Sequence, residues 1–289
     1  MVILPISDYE KKTQMPHKQN DTPTSHSPIT LAIDIGGSGI KGILLNHSGQ
    51  PITERIRMAT PRPATPQVIM PIIVEIANSL GRFNRVSVGF PGVIHRGRIK
   101  TAPNLDVSWI DTELVGELER RLNRPVLTVN DADMQGYGAI KGEGVELVIT
   151  LGTGFGTALF INRHLVPNLE LAHHPFRKRQ TYEMQLGAYA LKTVGKRRWN
   201  LRLAKAVEIL DRVINFDHLY IGGGNSKKVT IALPTHVTII SNTAGLLGGI
   251  ALWADPNVTR PPTSKTFDPG TARKRILREK SLIPLPKKG

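Results

Sequence analysis

Two stretches of this chain, roughly a hundred residues apart, are built on one plan. In the first, the apolar run Thr30-Leu-Ala-Ile-Asp34 ends in a carboxylate. The turn Gly36-Gly37-Ser38-Gly39 follows, and a second apolar run begins at Ile40. In the second, Val145-Glu-Leu-Val-Ile-Thr150 leads through Leu151-Gly-Thr-Gly-Phe-Gly156 into Thr157-Ala-Leu-Phe-Ile161. Each reads as strand, glycine turn, strand. The glycines are expected to take positive φ and to let the backbone come close to a ligand. Backbone N–H groups in such a turn can form an anion-binding concavity. Asp34 stands where a metal-bound phosphate needs a carboxylate. An ordinary glycine hairpin is the plain alternative for one such turn. It accounts less well for a second, or for the third cluster, Gly222-Gly223-Gly224-Asn225, which follows the apolar run ending at Ile221. That third cluster is expected to open a helix whose N-terminus faces phosphates. None of the three fits the usual dinucleotide or Walker fingerprints.

The rest of the chain reads as strands and helices in alternation, which indicates an α/β protein. Strands are expected at 30–35, 40–46, 52–58, 85–90, 126–129, 145–150, 156–161, 217–221 and 236–240. Helices are expected at 66–80, 111–123, 132–141, 181–194, 200–214 and 243–254. Thr65 and Pro66 mark the start of the first helix. At 289 residues the chain can hold two domains. The glycine turn in each half suggests two related lobes with a cleft between them. The expected division is a polar, disordered N-terminal extension over 1–28, a small lobe over 29–130, a large lobe over 131–256, and a basic, disordered tail over 257–289.

Composition narrows the function. There is no cysteine, which excludes disulfides and thiolate metal sites. No uninterrupted apolar stretch is long enough to span a bilayer. Met1-Val-Ile-Leu-Pro-Ile-Ser7 is too short and too soon polar for a signal peptide, so cytoplasm is the expected location. The formal net charge is +15. Such an excess favours polyanionic partners or substrates, or is simply a solvated surface. The tail holds nine Lys or Arg against Asp268 and Glu279. Within the body, Lys192, Lys196, Arg197 and Arg198 cluster between two expected helices. They form either a solvated face or a track for a polyanion.

The chemistry concentrates at Asn130-Asp131-Ala132-Asp133, where a buried strand runs into a helix. Strand ends of α/β folds commonly face the ligand crevice. A carboxylate there can take a proton from a hydroxyl, and Asn130 can hydrogen-bond a polyol. Helix capping explains the same residue types equally well. Asp133 reads as a first-turn carboxylate complementing the helix dipole. Glu170-Leu-Ala-His173, followed by His174, lacks a cysteine, and tandem histidines point in different directions. Hydrogen bonding to hydroxyls suits Glu170 and His173 better than a metal does. Glu183 is either a solvated charge or a further polar ligand.

Together these residues resemble the ROK family of sugar kinases, within the actin-like ATPase superfamily, and in particular its polyphosphate-using glucokinase branch. The motifs that carry the resemblance occur in the family's order. They are Asp34-Ile-Gly-Gly-Ser-Gly-Ile-Lys-Gly42, Gly89-Phe-Pro-Gly92, Asn104 with Ser108-Trp109, Asn130-Asp131-Ala-Asp133, Leu151-Gly-Thr-Gly-Phe-Gly156, Tyr182-Glu183 and Gly222-Gly-Gly-Asn225. They span about residues 30 to 255. The resemblance implies a two-lobed actin-like fold and a glucose kinase that uses inorganic polyphosphate, with ATP as a further donor. It makes Asp131 the catalytic base and Asn104, Asn130, Glu170, His173 and Glu183 the sugar contacts. Phosphate falls to Asp34, Gly36, Gly37, Ser38, Gly39, Lys41, Gly152, Thr153, Gly154, Gly222, Gly223 and Gly224. Mg²⁺ would come with the donor, near Asp34 directly or through water. Ala172 stands where the family usually has glycine, and the family's cysteine-rich zinc motif is absent, so no zinc is expected. A homodimer is plausible by the same resemblance. Alternatives are a strictly ATP-dependent glucokinase or glucomannokinase, and a sugar-responsive DNA-binding regulator. Against the regulator, residues 1–28 are too short and polar for a helix-turn-helix domain, so nucleic acid is not an expected partner.

Overall fold

The computed structural model describes residues 27–241, 244–255 and 258. The expected N-terminal extension up to His26, and the expected tail apart from Val258, lie outside these residues.

Strands β1 (Thr30–Ile35), β2 (Ile40–Leu45) and β3 (Ile56–Met58) form an antiparallel meander. Helix α1 (Pro66–Leu80) leads to β4 (Arg85–Phe90), parallel to β1. A short hairpin, β5 (Ile94–His95) and β6 (Arg98–Ile99), and helix α2 (Leu114–Leu122) precede β7 (Val126–Asn130), parallel to β4. The sheet order is β3-β2-β1-β4-β7. Helix α3 (Asp131–Tyr137) follows β7 without a linker.

The second half repeats the plan. Strands β8 (Val145–Leu151), β9 (Phe155–Ile161) and β10 (His164–Val166) form a meander. A small hairpin, β11 (Pro175–Arg177) and β12 (Gln180–Thr181), and helices α4 (Tyr182–Leu186) and α5 (Ala188–Ile214) come next. Strands β13 (His218–Gly222) and β14 (Val237–Ile239) then add in parallel, giving β10-β9-β8-β13-β14. The chain ends its described course in α6 (Ala244–Leu247) and a 3-10 stretch, Gly248–Trp253.

β1 is buried along nearly its whole length, which explains a continuous apolar run in place of alternation. On α1, Ile69, Ile73 and Ile76 recur at helical spacing and are fully buried. Each contributes about 1.5–3 kcal/mol on burial. Gly42 of β2 makes room for Ile76, whose side chain occupies the space a Cβ would need. The final segment returns to the first sheet. Ser87 Oγ donates to the Gly249 carbonyl at 2.5 Å, and Trp253 Nε1 donates to Ser87 Oγ at 2.9 Å.

Several expected boundaries shift, each for a local reason. The second helix starts at Leu114 instead of 111, because Asp111 takes φ 62 after a 3-10 turn at Val107–Trp109. Helix α3 stops at Tyr137 instead of 141. The Glu146 carboxylate captures the N–H groups of Lys141 and Gly142 at 2.7 Å and holds them off the helix. The helices expected at 181–194 and 200–214 become the short α4 and the long α5, kinked at Gly195 (φ 76, ψ 160). Of the strand expected at 52–58 only β3 forms, and of the helix expected at 243–254 only four of the described residues are α-helical. The third glycine cluster opens a single 3-10 turn, Ser226–Lys228, and no longer helix.

Candidate active site

A cleft of about 500 Å³ lies where the turns of both sheets meet the start of α3. Its walls include Asp34, Gly36, Gly37, Ser38 and Lys41 from the first turn, and Gly152, Thr153 and Gly154 from the second. Gly223 and Gly224 reach it from the third. Asn104, Asn130, Asp131, Glu170, His173 and Glu183 complete the expected set. Residues far apart in sequence thus share one cavity.

At the foot of the cleft, capping and proton transfer are divided between neighbours. Asn130 Oδ1 accepts the Ala132 N–H at 2.8 Å and caps α3, while its Nδ2 donates to the Gly92 carbonyl at 3.2 Å. Asp131, the first helical residue, is left facing the cleft. Burial pushes its carboxyl up to about 7, with Asp34 and then Glu170 adding to the rise; the Ala132 N–H and Lys41 oppose it. Asp133 takes the first-turn position that the sequence suggests, and it is buried there. It is 2 % exposed, and its Oδ1 has no hydrogen-bond partner. Burial holds its carboxyl well above the usual range, Asp131 and Glu170 add to this, and the Asn130 backbone N–H partly offsets it.

The first glycine turn is braced from outside. Thr60 Oγ1 donates to the Gly36 carbonyl at 2.6 Å, Arg57 to the Ser38 carbonyl at 3.0 Å and Arg62 to the Gly37 carbonyl at 3.1 Å. The N–H groups of Gly37 and Ser38 take no part in these bonds. Positive φ is not what this turn needs. None of Gly36, Gly37 and Gly39 adopts it, and their small size decides instead. A Cβ on Gly36 would sit 2.9 Å from the Gly39 carbonyl oxygen, and one on Gly37 would sit 3.0 Å from Asn104 Cβ. Lys41 Nζ pairs with Asp34 Oδ2 beside the turn.

The second and third glycine clusters are stitched together. Asn225 donates from its backbone to the Leu151 carbonyl at 2.8 Å and from Nδ2 to the Gly152 carbonyl at 2.9 Å. Gly223, at φ 84, packs directly on the Leu151 backbone, so here glycine is required on both counts. Gly154 leaves space that the Glu183 carboxylate fills.

On the opposite side, His173 Nε2 stands 3.7 Å from Glu170 Oε2. Burial raises the Glu170 carboxyl; His173 lowers it and Glu183 raises it further. Ala172 lies within a 3-10 turn, Leu171–His173, which makes no demand for glycine.

Two expected phosphate contacts lie off the cleft wall. Gly39 packs against the Arg57 guanidinium, and Gly222 against the Gln135 side chain. Lys192, Lys196, Arg197 and Arg198 are exposed along α5. Conversely, Gly92, Pro103, Gln135, Thr150 and Asn225 line the cleft and had been given no role. Gln135 was legible as the i+4 neighbour of Asp131 on one helix face, and Asn225 as the residue closing the third glycine cluster. Pro103 carries no such signal.

No helix among the described residues is long and apolar enough to cross a membrane.

The chain is similar to known proteins of one family. The sequence model described as the ROK family matches residues 30–168. A polyphosphate glucokinase of Mycobacterium leprae (strain TN) is 33% identical over 256 residues, covering 79% of this chain and 78% of that protein. A polyphosphate glucokinase of Mycobacterium tuberculosis (strain CDC 1551 / Oshkosh) is 34% identical over 236 residues, covering 75% and 88%. Among solved structures, the inorganic polyphosphate/ATP-glucomannokinase from Arthrobacter sp. strain KM superposes with a TM-score of 0.72 at 32% identity, covering 78% of this chain and 98% of that one.

Proposed function

The chain belongs to the ROK family, and on that premise we propose that it transfers a phosphoryl group from inorganic polyphosphate to the primary hydroxyl of glucose. It is an enzyme with the two-lobed actin-like fold of sugar kinases. The curated relatives named above are kinases, which favours this reading over a sugar-responsive regulator. The observation that carries the chemistry is the setting of Asp131. Its raised carboxyl lies between the glycine turns and the Glu170–His173 side of one cleft.

Asn104, Asn130, Glu170, His173 and Glu183 hold the sugar hydroxyls in this reading. Asp131 takes the proton of the attacking hydroxyl. That oxygen bonds to the terminal phosphorus of the donor, the bridging P–O bond breaks, and the shortened polyphosphate leaves. Backbone N–H groups of the glycine turns and the Lys41 ammonium stabilise charge on the transferring group, so catalysis is mainly positioning and electrostatics. Approach of the two lobes excludes water, which competes as acceptor.

The residues suit Mg²⁺ that arrives with the donor better than a resident ion. Among the described residues, no group of three or more His, Cys, Asp or Glu is placed to hold a metal. Asp34 supplies a carboxylate beside the first turn. Asp34 would hold such an ion beside the donor phosphates, where it would supply charge neutralisation for the phosphoryl oxygens.

The test offers the purified full chain glucose and Mg²⁺ with polyphosphate or ATP in separate reactions. Phosphorylated glucose is expected with polyphosphate. Product with ATP alone would make the enzyme a strictly ATP-dependent glucokinase. Absence of product with either donor would overturn the kinase reading.

A further inference from the structure

A cleft of about 500 Å³ has room for a hexose and a few phosphates. The rest of a long polyphosphate must leave it, and the structure shows a basic way out. On one side, Ala188 lines the cleft at the start of α5. Lys192 stands one turn further along that flank, at i+4. Gly195 then breaks the helix, and Lys196 opens its second half. On the other side, Gly223, Gly224 and Asn225 line the cleft, and the next residues form the turn that carries Lys227 and Lys228. All four lysines are exposed. None takes part in an ion pair among the described residues, whereas Lys205 and Arg212 of the same helix both pair with Glu208.

One buried amide joins the two sides. Asn200 is 3 % exposed. Its Nδ2 donates to the Lys196 carbonyl at 2.9 Å and to the Lys228 carbonyl at 3.0 Å, and its Oδ1 accepts the Thr230 N–H at 2.7 Å. The backbones that bear the two sets of lysines are therefore held side by side. Arg198 belongs elsewhere. Arg198 lies one turn before Arg202, on the flank that faces Gln185 and Arg177, where Arg202 Nη1 donates to the Gln185 carbonyl at 3.4 Å.

We propose that the polyphosphate chain beyond the cleft runs between Lys192 and Lys196 on α5 and Lys227 and Lys228 on the facing turn, with Asn200 as the positioning residue that sets their spacing. This rests on the polyphosphate reading of the cleft. It divides the four cations that adjacency in sequence groups together, and adds two that lie about thirty residues away. The ligand is recognised by its repeated negative charge, so its hold weakens as salt screens exposed groups.

The experiment compares two double variants of equal charge change, Lys227→Gln with Lys228→Gln and Arg197→Gln with Arg198→Gln, in the full chain. Two quantities are measured at low and at moderate salt. One is binding of long-chain polyphosphate without glucose, which reports the groove alone. The other is KM for long-chain polyphosphate and for tripolyphosphate, which reports groove and chemistry together. The lysine pair is expected to weaken long-chain binding and raise its KM by roughly threefold to tenfold at low salt, a gap that narrows with salt. The arginine pair is expected to do so by less than about twofold. The tripolyphosphate KM should move less than the long-chain KM in the lysine variant. Asn200→Leu, checked for folding, should raise the long-chain KM without changing the glucose KM. Equal binding and equal KM in the lysine variant and the parent, or equal effects of the two pairs, would overturn the groove. A parent that binds long polyphosphate in this groove but never transfers from it would overturn the donor assignment alone.

Discussion

Lys41 and Asp34 face each other across the first hairpin, Nζ to Oδ2 at 2.6 Å, directly opposite in the β1–β2 register. The pair belongs to the cleft wall and acts on Asp131 with opposite signs. Asp34 raises the Asp131 carboxyl and Lys41 lowers it. Neither member is fully buried, so the pair's direct contribution to stability is small. Its larger consequence is the pH at which Asp131 can accept a proton.

A general base works deprotonated, so kcat/KM for glucose should fall as pH drops below about 7, the value to which Asp131 is raised. Lys41→Met removes an influence that lowers this value, so the acidic limb should move to higher pH. A pH–rate profile of the parent and the variant checks both points. A limb with an unchanged midpoint in the variant would break the link between Lys41 and Asp131.

Asp131→Asn should keep the fold and glucose binding, because Asn130 and not Asp131 supplies the helix cap. Turnover should fall by about 10²–10⁴, the usual cost of losing a general base. Glucose binding by calorimetry and single-turnover product formation separate the two effects. Near-parental turnover in a folded Asp131→Asn protein would remove Asp131 from its role.

Gly36→Val and Gly152→Val should fail differently. A Cβ at Gly36 meets the Gly39 carbonyl at 2.9 Å, so the turn itself must shift. A Cβ at Gly152 meets no protein atom within 4 Å, and the residue lines the cleft. Gly152→Val should therefore raise the donor KM with little loss of Tm, whereas Gly36→Val should lower both Tm and rate. A parental donor KM in Gly152→Val would return that glycine to plain turn duty.

Asp133→Asn should stabilise the protein increasingly as pH rises. The folded carboxyl is held well above the ordinary 3.8. Such a group favours the folded state fully below its unfolded pKa, and that advantage is lost as pH climbs towards the folded one. An amide keeps an acceptor for the Asn130 N–H without carrying a charge. The expected gain grows as pH rises from the ordinary carboxylate range towards neutral. Thermal unfolding from pH 4 to pH 8 reads it, and a Tm difference that stays constant with pH would contradict this account of Asp133.

The sequence by itself determined the local elements whose signal is local. The apolar runs of β1, β2, β8 and β9, the glycine turns between them, Thr65-Pro66 at the start of α1, and the junction of β7 with α3 at Asn130-Asp131 all follow from side-chain pattern and turn chemistry within a few residues. The family's motifs, read in order, added the cleft. Tertiary structure decided what depends on residues brought from elsewhere. Glu146 ends α3 early by capturing two N–H groups, and Ile76 requires glycine at position 42. Neither partner is visible from the segment it constrains. Gly36 and Gly37 answer to crowding from Gly39 and Asn104, not to positive φ, and only the folded backbone shows that difference. Asp131 owes its raised pKa to burial and to Asp34 and Glu170, which lie far away along the chain. The same holds for Lys227 and Lys228 beside Lys196. Periodicity along a chain encodes which face of an element is buried, but fields, contacts and desolvation arise between elements and exist only once the lobes have packed.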